Sequence, residues 1–448
     1  MNKITATVGL VALGAASIQA QNTAPAAGSQ EATKPWSISA TLRGFYDDNY
    51  STSPKQLERD SFGFEVSPSA SLNLIRDQTA LGLSYVYSGR WYEDREDLED
   101  GEAWDHSHQL NGKLSHAFSP RFKVDLTDSF VIAQEPELIE PAGAGLSATG
   151  LRSEGDVMRN HALGSFSAGI TENLTGVIGY ANEYYDYDEE GFNSRSAYLD
   201  RMEHLGSFNL RAVVLPKTVL VGGYQYEVVD YHSDDRIGLP FGSLNYPAEE
   251  RNSTSHYMYG GVDQSISPTF NVSLRGGAQY TEWDDIDEIR EINAAFGNET
   301  EEDTWSPYVD ANMTWLYSPG SYAQLGVRHQ RAQTDVGFAI TPDGEFVPNL
   351  DAQSTGVYGS VSHRIFGGFI ASAIASYQHN EYDPEGFDSY GEDYIMAGLN
   401  LTYEFNRYLA LEAGYNFDWL ESDVDDAPGE DTRSYQRNRV YVGVRGTY

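Results

Sequence analysis

The sequence predicts an all-β chain, a transmembrane antiparallel up-and-down β-barrel of about 18 strands (roughly 16–20), with short turns at one end and long acidic loops at the other. Three observations predict it. Apolar residues recur at every second position through segments of strand length, which puts one oily and one polar face on each strand. Very short turns alternate with long polar connections. No segment offers the ~18 consecutive apolar residues that a helix needs to cross a bilayer.

In chain order, the first element is a secretory signal peptide over residues 1–20. It has one positive charge (Lys3), an apolar stretch from Ile4 to about Ile18, and a small residue, Ala20, at the expected cleavage point. Residues 21–35, rich in Ala, Thr, Gly and Ser, read as a flexible periplasmic tail. The barrel then occupies residues 36–448.

Within it a repeat of strand, long loop, returning strand and tight turn runs to the end. The tight turns are Arg76-Asp77-Gln78, Ser119-Pro120-Arg121, Thr171-Glu172-Asn173 and Leu215-Pro216-Lys217. Ser267-Pro268-Thr269, Ser318-Pro319-Gly320, Phe366-Gly367-Gly368 and Asn406-Arg407-Tyr408 complete the set. Proline fixes φ, and Ser or Asn bonds back to its own turn, so each is a sound reversal. Eight such turns join nine hairpins, which gives eighteen strands and brings both ends to the periplasmic side. The loop at 233–253 is where a further hairpin could hide, because Ile237 to Tyr246 holds several apolar residues.

The strand pattern is plainest late in the chain. Ile395, Ala397, Leu399, Leu401, Tyr403 and Phe405 share a face, and Leu409, Leu411, Ala413, Tyr415, Phe417 and Trp419 repeat it. Val440, Val442, Val444 and Gly446 follow, with an aromatic, Tyr448, at the end. Aromatics gather beside the tight turns, as at Phe118 and Phe122, Trp315 and Tyr317, and Phe405 and Tyr408, where an interfacial girdle would lie. Charges such as Arg275 and Glu404 on the polar faces suit a watery lumen and would be costly in a dry core. A soluble β-sandwich, propeller or adhesin is the competing reading.

The chain has no cysteine, so disulfides and thiolate metal sites are excluded. Its formal charge of −38 argues against nucleic acid as a partner and attracts cations. The acid concentrates in the long loops: Glu93–Glu102 holds seven carboxylates and Asp284–Asp303 nine, each run with one arginine. Weak divalent-cation binding there is plausible, but the spacing of a defined calcium loop is missing, since Leu98 stands where the template needs a ligand. No cofactor is called for. Neither a Gly-x-Ser-x-Gly elbow nor a His-Glu-x-x-His pair occurs, so no catalytic residue is assigned. His106 and His108, near Asp105, are the nearest approach to a metal pair.

The candidate site is the lumen. Arg43, Arg211, Arg275, Arg328, Glu404, Glu412, Asp418 and Arg445 are expected to line the pore. A solute path set by charge and a wall of internal ion pairs are both consistent with their mixed signs. The third long loop, Glu135 to Asp156, is more apolar than its siblings. Folded inward, it would place Glu135, Glu137 and Glu140 at a constriction.

The signal peptide, hairpin repeat, aromatic turns and terminal aromatic together resemble the outer-membrane β-barrel porin families of Gram-negative bacteria, over about Trp36 to Tyr448. The one departure is Tyr448, where Phe or Trp is commoner. The resemblance implies residence in the outer membrane, with lipid and lipopolysaccharide as surroundings. It also implies a non-enzymatic channel for passive diffusion of small hydrophilic solutes or ions, with the acid excess favouring cations. A monomer and a homotrimer both fit. A conduit for exopolysaccharide export and a closed, surface-binding barrel are the alternatives. A plugged, gated transporter is excluded, because residues 21–35 leave no room for a plug.

Overall fold

The computed structural model describes residues 34–95, 103–134, 146, 148–153, 155–239, 244–297, 299–340, 346–382, 390–424 and 433–448. The expected signal peptide, most of the tail, and Glu135, Glu137 and Glu140 lie outside the described residues.

Eighteen strands form one sheet. They are β1 (Trp36–Asp47), β2 (Ser61–Arg76), β3 (Thr79–Tyr92), β4 (Trp104–Ser119), β5 (Phe122–Ala133) and β6 (Val157–Gly169). Next come β7 (Leu174–Tyr187), β8 (Arg201–Leu215), β9 (Thr218–Tyr231), β10 (Ser253–Ser267), β11 (Phe270–Trp283) and β12 (Asp303–Ser318). The last six are β13 (Ser321–Ala332), β14 (Ala352–Phe366), β15 (Phe369–Tyr382), β16 (Tyr390–Asn406), β17 (Leu409–Ser422) and β18 (Tyr435–Thr447). Each pairs antiparallel with its sequence neighbours. β1 also pairs with β18, from Ser39 opposite Thr447 to Asp47 opposite Arg439, so the sheet closes and has no free edge. All eight expected tight turns fall between strands at one end, and the nine long connections at the other.

The loop at 233–253 does contain a hairpin, Arg236–Gly238 against Asn245–Pro247. It is a separate ribbon outside the wall, so the barrel stays at eighteen strands. A second ribbon, Phe338–Ile340 against Phe346–Pro348, lies in the seventh long loop. Among the described residues the loops also carry two α-helices, α1 (Arg195–Leu199) and α2 (Asp287–Ala295).

Burial is inverted relative to a soluble fold. Val442, Leu399 and Leu401 are exposed to 66%, 56% and 54%, whereas Ser39, Asp47, Glu65 and Glu412 on the opposite faces are buried. An oily exterior around a polar interior excludes the sandwich, whose alternating apolar residues would be core.

Tyrosine and glycine abundance has a local cause on the inner wall. Tyr259, Tyr358 and Tyr441 stand directly across from Gly223, Gly326 and Gly414 on the neighbouring strands. A Cβ on those glycines would come within 2.4, 2.0 and 2.2 Å of the tyrosine rings. Each glycine therefore makes room for a ring to lie flat on the wall.

Candidate functional site

Inward residues of the strands form a belt of ion pairs. Arg43 (β1) lies between Glu65 (β2) at 3.0 Å and Glu412 (β17) at 2.6 Å, and Arg90 (β3) reaches the other oxygen of Glu65 at 3.0 Å. Asp263 (β10) takes Arg275 (β11) at 2.6 Å and Arg211 (β8) at 2.5 Å. Arg328 (β13) meets Asp310 (β12) at 2.9 Å, and Arg364 (β14) meets Glu404 (β16) at 3.3 Å. The register explains these pairings: Arg43 is directly opposite Glu65, and Asp310 is opposite both Arg275 and Arg328. Asp418 is buried on the same face, opposite Arg437. Arg445 faces inward between Thr41 and Ala410. Arg43, Arg211, Arg275, Arg328, Glu404, Glu412, Asp418 and Arg445 thus all fall on the inner face of the strands, and the first six sit in the ion pairs above. A wall in which guanidinium and carboxylate alternate carries little net field of its own.

The long loops are not the solvated acidic fringe their composition suggests. Ala197, Ile237, Tyr246, Ile286, Ile289, Ile292, Phe338 and Phe346 form one apolar core, although they come from the fourth to seventh loops. α2 buries Ile289 and Ile292 against it. The helix lacks a side-chain cap of its own at Ile286; instead both oxygens of Glu250 accept backbone N–H bonds from Glu288 and Ile289, each at 2.8 Å. A carboxylate at that end also meets the positive pole of the helix. The Tyr246 hydroxyl donates to the carbonyls of Gly337 and Asn349, tying the fifth loop to the seventh.

A buried carboxylate, Asp335 of the seventh loop, is the polar counterpart of that core. It pairs with Arg195 at the start of α1 and with Arg433 of the ninth loop at 2.7 Å, and it accepts from the Thr149 hydroxyl of the third loop at 2.6 Å. Arg433 in turn meets Glu392 of β16 at 2.6 Å. Burial opposes the charge on Asp335, but the Arg433 and Arg195 guanidiniums outweigh it and hold the carboxyl down to about 2. The same carboxylates push Arg433 above its ordinary value against its own burial.

The described part of the third loop lies across the lumen. The loop leaves the wall between β5 and β6, yet Leu146 abuts Gly356 on β14, half the ring away. Gly150 touches the Tyr394 ring of β16 and accepts from the Tyr435 hydroxyl of β18 at 2.5 Å. Arg152 donates to Asp105 of β4 at 2.7 Å.

Sequence reasoning missed Asp335, Arg195, Arg433 and Glu392. The available signal was the lone arginine: the chain holds 29 Lys and Arg against 67 Asp and Glu, so a base within an acidic loop marks where acid must be neutralised. His106 and His108 do not form a metal pair with Asp105. They face outward and bond to Tyr87 and Tyr85, while Asp105 points inward to Arg95. Among the described residues no group of His, Asp and Glu is arranged to hold a metal ion.

A closed barrel of eighteen antiparallel strands, apolar outside and charged within, is an outer-membrane barrel of the channel-forming porin class, which is non-enzymatic. Residues 244–448 match the family model described as "Putative beta-barrel porin 2". No curated protein matches the chain. Among solved structures it is similar to the outer-membrane protein OpdK of Pseudomonas aeruginosa (11% identity, 92% of this chain and 99% of that one, TM-score 0.43). OccAB4 of Acinetobacter baumannii is similar at 10% identity, 95% and 100% coverage, and a TM-score of 0.41. P. aeruginosa OccK2, solved with glucuronate, is similar at 10% identity, 92% and 98% coverage, and a TM-score of 0.45. At such scores these likenesses add nothing to the barrel read from the strands themselves.

Proposed function

We propose that the protein is an outer-membrane channel for passive diffusion of small hydrophilic solutes, closed at rest by its own interlocked loops. The observation that carries this is Asp335, which gathers the third, fourth, seventh and ninth loops from around the ring onto one buried carboxylate. An eighteen-stranded wall encloses a lumen wide enough for water, so its conductance depends on what crosses the mouth. Cation preference, if the channel has it, belongs to the acidic loops at the mouth, because the wall arginines are matched by carboxylates. The same matching weighs against export of an acidic polysaccharide, which would need guanidiniums not already engaged by the wall. Lipopolysaccharide contacts and weak divalent binding would likewise fall to the acidic loop end.

Planar-bilayer recording under a salt gradient tests the proposal. The expected result is rare openings from the folded protein, and frequent, larger openings when Asp335 is replaced by Asn. Steady full conductance from the unaltered protein would remove the resting cap. Absence of current from both would leave a closed surface-binding barrel.

A further inference from the structure

The ion-pair belt breaks between β2 and β6. There, on the turn side of Glu65 and Arg90, the inward residues are small and hydroxyl-rich. One register row runs Ser37, Ser71, Ser84, Asn111 and Ser129 across β1 to β5. Neighbours in it bond to each other and so lie along the wall, Ser37 with Ser71 at 2.7 Å and Ser129 with Asn111 at 2.9 Å. The next row towards the turns is Asn73, Gly82, Lys113 and Thr127. The far side of the lumen carries instead the guanidiniums of Arg275 and Arg328 and the rings of Tyr259, Tyr308 and Tyr358. Short side chains occupy less of the lumen, so its free width lies towards β2–β6.

Lys113 stands in the middle of this arc. It shares the inward face of β4 with Asp105, while Leu110 and Phe118 are exposed on the outward one. Six residues separate it from Ser119 at the turn. At ~3.3 Å per residue and a tilt of about 40°, that height is roughly 15 Å, near the middle of a membrane band ~25 Å tall. Its cross-strand neighbours, Gly82 and Thr127, bear no charge. Asp125, the carboxylate one row nearer the turn, is taken by Lys123 at 2.7 Å. Among the described residues Lys113 has neither a hydrogen bond nor an ion pair, and it is exposed. With 67 Asp and Glu to 29 Lys and Arg in the chain, a base left without a carboxylate is the exception. The turns at the foot of the arc add the same sign, Arg76 and Arg121 against Asp77, whereas the three turns between β10 and β15 hold no charge.

We propose that Lys113 reads the permeating solute: the path follows the β2–β6 arc, and the amine makes the middle of the lumen favour small solutes that carry an anionic oxygen, of a carboxylate or a phosphate. The inference rests on the channel reading. The amine is in water, so it meets an anion without the desolvation cost of a buried charge. An anionic oxygen takes the ammonium as its charge partner and the neighbouring hydroxyls as donors. The belt arginines cannot serve in this way, because each already holds a carboxylate. Mouth and middle then differ in sign, with acidic loops gathering cations and Lys113 favouring anions. An anion passing within about 5 Å of one positive charge in water is enriched roughly fourfold.

Reversal potentials in a potassium chloride gradient, measured during openings of the otherwise unaltered chain and of Asp335→Asn, test it. Lys113→Gln should lower the chloride-to-potassium permeability ratio roughly fourfold, and Lys113→Arg should keep it. The same recordings with acetate or phosphate in place of chloride tell which anionic oxygen is preferred. An unchanged ratio in a conducting K113Q channel would overturn this inference and leave the channel reading standing. The absence of native cysteine supplies a second measurement. Lys113→Cys, its folding checked by heat-modifiable migration, should react in intact cells with a negatively charged, membrane-impermeant thiosulfonate. A folded K113C that stays unreactive, with Asp335 present or replaced by Asn, would place the residue off the aqueous path and overturn the inference. A K113C that reacts although no variant conducts would remove the channel reading, and this one with it.

Discussion

Asp335 sets the most quantitative expectation. Its carboxyl falls from an ordinary 3.8 to about 2 in the closed cap, which corresponds to about 2 kcal/mol favouring the ionised, capped state. Asp335→Asn keeps the shape and removes the charge, so this contribution disappears and the ratio of closed to open cap should fall roughly 30-fold. The sign of the pH effect follows from the lowered value. The stabilisation is complete above about pH 4 and is lost as pH drops from there towards 2. Single-channel open probability is the assay. The unaltered channel should open progressively between pH 4 and pH 2, while D335N should already be open at pH 7 and change less on acidification. Other carboxylates of the cap titrate as well, so the informative quantity is the difference between the two proteins. An open probability unchanged by D335N at pH 7, or the same acid response in both, would refute the latch.

Tyr246→Phe removes the hydroxyl that bonds to Gly337 and Asn349, and should weaken the cap by about 1–2 kcal/mol. Faster hydrogen exchange over 333–351, with the barrel's melting unchanged, is the check. Glu250→Ala uncaps α2 and should cost about 1–2 kcal/mol, read as increased exchange across Asp287–Ala295. Arg43→Gln leaves Glu65 and Glu412 without their shared cation, and the reversal potential in a salt gradient should move towards cation selectivity. No movement would mean that ions do not pass that stretch of wall. Gly326→Ala should drive a methyl into the Tyr358 ring, and its heat-modifiable folded band should diminish; Tyr358→Ala in the same chain should restore it.

The wall was legible in the sequence because its rules are local. Period-two alternation assigns faces, and Ser-Pro or Asn-Arg-Tyr turns assign the reversals, so β16 to β18 could be drawn residue by residue. Which side chains face the lumen followed from the same parity. Their partners did not, since Arg43 meets Glu412 across the closure of the ring, 369 residues away in sequence. The cap was hidden for a related reason. Ile237, Tyr246, Ile289 and Phe338 come from three loops, each dominated by polar residues, and only the closed ring brings them together. A local window sees acid; the fold sees an apolar core held from within those loops.

The placement of charge links these observations. A chain of formal charge −38 would be expected to form a strongly acidic pore, yet the inner wall pairs its carboxylates with arginines held by cross-strand register. A solute that sought either sign on the wall would have to displace a partner already at hydrogen-bond distance, with no gain in field. Apart from Lys113, discrimination therefore has to occur where the charges are not committed to one another by strand register, in the loops. There the same chemistry takes a different form, because Asp335 is joined to Arg195 and Arg433 across loops that no strand pairing holds together, whereas Arg43 and Glu65 are held by their register. On the proposed function, the paired wall keeps the lumen polar and the ion pairs of the cap decide when it is entered.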